Sequence, residues 1–168
     1  RALLYTSNFN APVFHFPYDS KLIPNGQINE GKVSTSLGLK GMPAISEEMM
    51  VRRDLTLLEY TEGILHLGPI SSAKSAQLAS EAKKNGLRVT TEVTAAHLAF
   101  SEEKLGDSDT NFKLMPPLRT EENRKALIAA LKDGKIDVIS SDHSPEDEEH
   151  KKLEFDLANF GIAGMELF

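Results

Sequence analysis

Four short apolar runs, each separated from the next by a stretch of helical periodicity, restrict the fold more than any other feature of this sequence. They cover residues 12–16, 64–67, 88–93 and 137–141, the third alternating through Val89, Thr91 and Val93. Short β-like runs alternating with amphipathic helices are the pattern of an α/β protein with a parallel sheet and helical crossovers. The helices read as 47–61 with Val51, Leu55 and Leu58 on one face, 72–84 ending at Asn85-Gly86, and 121–132 with Ala126, Leu127, Ala130 and Leu131 inward. Ser46 and Thr120 stand where N-caps belong, and Gly63 and Gly134 where helices stop. Residues 2–8 read as the end of an earlier helix, and Met49-Met50 as core. The Gly-rich connection 17–46 is long enough to be a functional cover, and 100–118 is an irregular insert.

Four β/α units within 168 residues amount to half of a (β/α)8 barrel. An open doubly wound sheet is the competing architecture, but no G-x-G-x-x-G or G-x-x-x-x-G-K-[ST] turn follows any of the runs. The net charge of -6 has the wrong sign for a surface that binds nucleic acid or anionic lipid. With 0 cysteines, a metal site has only His, Asp and Glu to draw on. No apolar run reaches the ~18 residues that span a bilayer. Arg1-Ala2-Leu3-Leu4 does not read as a signal sequence, and a cytoplasmic placement fits best. The chain opens on Arg1 and closes on the apolar run 162–168, ends that suggest a piece of a longer protein.

In a β/α barrel the chemistry sits just past the strands, here at His15, 66–69, 92–97 and Asp142-His143. Asp142 stands out, because an Asp after the run Ile139-Ser140-Ser141 is costly at the mouth of a core unless it binds a metal or moves a proton.

Four segments carry a family resemblance: Glu92-Val93-Thr94-Ala95-Ala96-His97-Leu98, Lys113-Leu114-Met115-Pro116-Pro117-Leu118-Arg119, Ser141-Asp142-His143-Ser144-Pro145 and Phe160-Gly161-Ile162-Ala163-Gly164-Met165-Glu166. In this order and at similar spacing they resemble the dihydroorotases, cyclic amidohydrolases that make dihydroorotate in pyrimidine synthesis. The stretch from Asn29-Glu30-Gly31 through 38–43 to Glu47 looks like that family's loop after the fifth barrel strand, and Ile70-Ser71-Ser72-Ala73-Lys74-Ser75 like the turn after its sixth. The resemblance implies that residues 1–168 form one partial domain, the C-terminal half (strands five to eight) of a (β/α)8 metallo-dependent hydrolase barrel. Its strand-one histidines and its strand-four ligand would then lie upstream.

The resemblance also implies zinc, which turns water into hydroxide and polarises the ring amide while an Asp after strand eight moves the proton. Carried onto this chain, the strand-five metal ligand falls on His15, and the strand-eight aspartate, ligand and proton carrier, on Asp142. The strand-six ligand falls on Pro69, which has no lone pair for a metal. His66, three residues earlier, faces the opposite way unless a bulge at Gly68-Pro69 shifts the register. Met115 replaces an Asn that bonds the substrate, and Glu146 replaces a His directed at the substrate carboxylate, where a second carboxylate repels. His143 is read as a structural group or a weak substrate contact, Arg119 as a loop-anchoring ion pair, and 147–152, with His150, as an exposed charge run.

These substitutions point to a dihydroorotase fold with a degraded site, poor or inactive as a dihydroorotase, and to no activity in the 168-residue piece by itself. A non-catalytic homologue docking on aspartate carbamoyltransferase is the alternative, and a different hydrolase using Glu92, His97 and Asp142 a third. Half a barrel leaves two unpaired strand edges, so the missing half of the barrel or a second copy is the expected partner.

Overall fold

The computed structural model describes residues 1–167; Phe168, the end of the apolar run read above, lies outside the described residues. The elements in chain order are α1 (Ala2–Ser7), β1 (Val13–His15), β2 (Ile28–Asn29), α2 (Lys32–Leu37), β3 (Gly41–Met42), α3 (Ile45–Thr61), β4 (Leu65–Leu67), α4 (Ala73–Lys84), β5 (Val89–Thr94), α5 (Ala95–Ala99), α6 (Glu121–Lys132), β6 (Val138–Ser140) and α7 (Glu148–Lys151). Strands β1, β4, β5 and β6 form one parallel sheet in that order, so each strand lies beside its predecessor in the main alternation. The long connection is not structureless: it folds back on itself as the parallel pair β2–β3 with α2 between.

Strand register divides the sheet into two unlike faces. Leu65, Leu67, Val89 and Val93 point toward α3, α4 and α6, where they pack with Val51, Leu58, Ala76, Ala82, Leu127 and Ala130. Each fully buried aliphatic side chain of this layer stabilises by about 1.5–3 kcal/mol, which is what commits the sheet to one register. The other face carries Phe14, His66, Thr90, Glu92, Val138 and Ser140, aligned by the pairs Phe14↔His66, His66↔Thr90, Glu92↔Val138 and Thr94↔Ser140. It is open, with Phe14 72% and Val138 41% exposed.

Local details differ from the sequence expectation in four places. Helix α3 starts on Ala44 as N-cap, and Ser46 is buried inside its first turn with its hydroxyl donating to the Pro43 carbonyl at 2.7 Å. Its left-handed C-cap is Glu62 (φ 52°), one residue before Gly63. Met49 is half exposed on the outer side of α3, so it is not core. Residues 147–152 contain a short helix capped by the Asp147 side chain, and Lys151 within it is buried.

Candidate active site

The open face at the carboxyl ends of the strands is built by alternation. His66, in the middle of β4, has a neighbour from β5 at each ring nitrogen: the Thr90 hydroxyl lies 2.8 Å from Nδ1 and a Glu92 carboxylate oxygen 3.1 Å from Nε2. The Phe14 ring covers the imidazole from β1, with centroids 4.8 Å apart. The other Glu92 oxygen accepts from the Ser140 hydroxyl of β6 at 3.3 Å. Asp142 follows two residues after β6 with φ 45°, a conformation uncommon for a non-glycine residue. Burial, and then the Glu92 charge, push its carboxyl above the usual range.

The strand-eight loop is held against the chain's last segment. The Ser144 N–H donates to the Ile162 carbonyl at 3.0 Å, and Gly164 lies so close to the Ser141 carbonyl that no side chain fits there. Gly161, at φ +151°, makes the same kind of approach to the Ser144 carbonyl. Glu146 is exposed and accepts from the Asn159 amide at 3.0 Å. It borders a cleft of about 290 Å³ walled by Phe100, Phe112, Ile162 and Leu167.

The residues singled out from sequence do not converge. His15 closes β1 on the helix side of the sheet, its Nδ1 2.6 Å from an Asp54 carboxylate oxygen of α3. That contact is a close approach whose angles do not make a hydrogen bond. Two strands separate His15 from β6 and Asp142. Pro69 and Met115 are partly buried, and His143 is exposed with Nδ1 accepting the Met165 N–H at 3.3 Å. Among the described residues, no three His, Asp or Glu side chains gather as a metal ion requires. His66 and Glu92, by contrast, meet directly. The pairing was readable only through register, since β4 and β5 must align 66 with 90 for Glu92 to follow on the same face.

His97 belongs to a different environment. It is buried in α5, with Nε2 donating to the Pro116 carbonyl at 3.1 Å and Nδ1 accepting from the Thr94 hydroxyl at 2.7 Å. Burial dominates and pulls its pKa down to about 4. The folded value lies below that of the unfolded chain, so between the two the unfolded chain binds the extra proton and stability falls as pH drops from about 6.5 to about 4. The expected loss across that window is up to about 3 kcal/mol. Urea denaturation between pH 7 and pH 4, compared with His97→Gln, checks it: the variant should lose most of this slope.

No family model matches the chain. The dihydroorotase of Endomicrobium trichonymphae is 44% identical over 166 residues, 99% of this chain and 39% of that protein. The dihydroorotase of Pelotomaculum thermopropionicum is 45% identical over the same share of each. The chain belongs to the dihydroorotase family. It spans about two fifths (39%) of the length of these curated relatives. Among solved structures, the dihydropyrimidinase of Brevibacillus agri NCHU1002 matches with TM-score 0.77 at 21% identity, over 96% of this chain and 37% of that one. A Saccharomyces cerevisiae dihydroorotase in complex with 5-fluoroorotic acid matches with TM-score 0.73 at 15% identity, over 97% and 43%. At those identities the structures establish the fold, a partial (β/α)8 hydrolase barrel, and β1, β4, β5 and β6 of this dihydroorotase-family chain are four consecutive strands of it.

Proposed function

We propose that the protein containing this chain is a dihydroorotase homologue with a degraded site, a poor or inactive catalyst of the interconversion of dihydroorotate and carbamoyl-aspartate. The observation that carries the reading is Pro69, which stands where the family's strand-six ligand belongs and offers no lone pair. Two substitutions support it: Met115 has no amide for the substrate, and Glu146 presents a negative charge where a substrate carboxylate would bind. Asp142 remains the residue able to carry a proton, with a partly buried carboxyl at the end of β6. The zinc, the pyrimidine pathway and a cytoplasmic location belong to this proposal through the resemblance alone.

The rest of the barrel is the partner we assign to the open face, because Phe14 and Val138 are uncovered there and β1 and β6 have unpaired edges. Dihydroorotate turnover by the full-length protein tests the reading. The expected rate lies more than about 100-fold below that of an intact dihydroorotase. Turnover in the ordinary enzyme range would overturn the reading. The 168-residue chain by itself is expected to show none. A silent full-length protein that co-purifies with aspartate carbamoyltransferase is the outcome expected of a homologue kept for assembly.

A further inference from the structure

We propose that the open face of this half barrel is metal-independent, with a His66–Glu92 couple closing on partners within the sheet where zinc ligands would stand. The proposal rests on the reading of this chain as a dihydroorotase-like half barrel and goes beyond the loss of one ligand at Pro69. Zinc draws three or four donors to about 2.0–2.3 Å, so ligands from neighbouring strands must leave the sheet on one face. His15 leaves on the other. Its imidazole lies with the helix layer against Asp54, a buried carboxylate that also takes two guanidinium N–H bonds from Arg53, at 3.0 and 2.7 Å. Turning His15 to the open face takes a one-residue slip of β1, which would swap Val13, packed on the core, for Phe14.

Among the described residues, His66 is the imidazole that the strands present on the open face, and both its nitrogens are engaged. A His bound to zinc through one nitrogen commonly gives its other N–H to a carboxylate, and Glu92 supplies that half of the arrangement. The other half is missing, because the Thr90 hydroxyl, 2.8 Å from Nδ1, stands where the ion would sit. The imidazole is fixed between Thr90 on one side and Glu92 on the other and packs under Phe14. Both ring nitrogens thus find partners within the sheet, without an ion.

The test uses the full-length protein expressed in zinc-supplemented medium, with metal content measured by elemental analysis and melting followed with and without a chelator. Well under one zinc per chain and an unchanged Tm are expected. Stoichiometric zinc, or a Tm that falls on chelation, would overturn the proposal. Two variants extend it. Pro69→His restores the strand-six donor but leaves His15 turned away, so it should gain no zinc; stoichiometric uptake by this variant alone contradicts the geometry. Glu92→Gln should lower the Tm of the metal-free protein by several degrees, and no change would remove the couple from its role. The outcomes separate the two proposals: turnover without zinc defeats the degraded-site reading and leaves this one standing, and zinc without turnover does the reverse.

Discussion

Replacing Arg119 by methionine is expected to destabilise the protein by about 3–5 kcal/mol, the range for removing one partner from a buried charged network. Arg119 is 5% exposed. Its Nε donates to the Ser71 hydroxyl at 2.9 Å and its Nη1 to the Asn29 side-chain carbonyl at 2.8 Å and the Met42 backbone carbonyl at 2.6 Å. Burial pulls the guanidinium below its ordinary pKa, while the charges of Glu47, Glu48 and Glu102 pull the other way. The network is not a simple ion pair. Glu47 accepts from the Ser71 and Ser72 N–H groups at 3.0 Å each and from the Ser71 hydroxyl at 2.5 Å, which fixes the start of α4 to the start of α3. Glu102 accepts the Asn29 amide at 2.5 Å, and burial pushes its carboxyl up.

Methionine fills much of the volume but removes a cation that these carboxylates share. Lysine retains the charge on a single nitrogen, which cannot reach three acceptors in different directions, so Arg119→Lys should be intermediate. Urea denaturation of the full-length protein measures the loss, and adding Glu102→Gln to Arg119→Met should recover part of it. Because Asn29 and Met42 lie in β2 and β3, amide exchange should also quicken across the long connection. A loss below about 1 kcal/mol with unchanged exchange would show that the network is surface-like, where ion pairs contribute little.

That connection shows how far the sequence could be read. Its length and glycines marked it as a cover, and what fastens it is the arginine beyond two prolines that reads as a loop anchor, though through neutral acceptors rather than an ion pair. Lys and Arg are almost never fully buried unless partnered, and their partners here are backbone carbonyls and neutral side chains from segments 48 to 90 residues away. No local pattern announces such acceptors. The strands, in contrast, follow from apolar runs with crossover helices between them, because periodicity is a local property that burial of one face enforces.

Which face a short strand shows was harder. β1 has three residues, too few to display an alternation, and an aromatic residue stands on either side of His15. Only pairing with β4, where Phe14 meets His66 and His15 meets Leu67, settles that the imidazole belongs to the helix layer. The same register joins His66 to Glu92, a contact between residues 26 apart. The strand ends were therefore legible, and which of their side chains share a face was not.

A second large effect is expected from Lys113, whose replacement by methionine should destabilise the packing of residues 153–161 by about 3 kcal/mol or more, from acceptors left buried without donors. Lys113 is 2% exposed, and its ammonium donates to the carbonyls of Phe155 at 2.7 Å, Ala158 at 2.6 Å and Asp156 at 3.3 Å. The rings of Phe155 and Phe160 lie 5.4 and 4.8 Å from the same nitrogen. Lys151 repeats the device with the carbonyls of Thr110 and Asn159 at 2.9 Å and Gly161 at 2.7 Å. Burial pulls both ammonium groups below their ordinary pKa, against the charge of Asp156 at Lys113 and those of Glu146 and Asp109 at Lys151, and each donates to three carbonyls. The two lysines fasten 153–161 to the insert at 110–113, and Gly161 and Gly164 then press on the carbonyls of Ser144 and Ser141. Cutting this latch releases the loop that carries Asp142 and Glu146. Lys113→Met should therefore speed proteolytic cleavage within 152–160 and raise amide exchange at Ser144, which bonds the Ile162 carbonyl at 3.0 Å. Lys104→Met is the control: that ammonium lies over Phe100 and Phe112 at an exposed site, and its loss should cost no more than about 1 kcal/mol. Equal effects of the two variants would mean that the buried carbonyls find water, and that this segment is held by its aromatic packing instead.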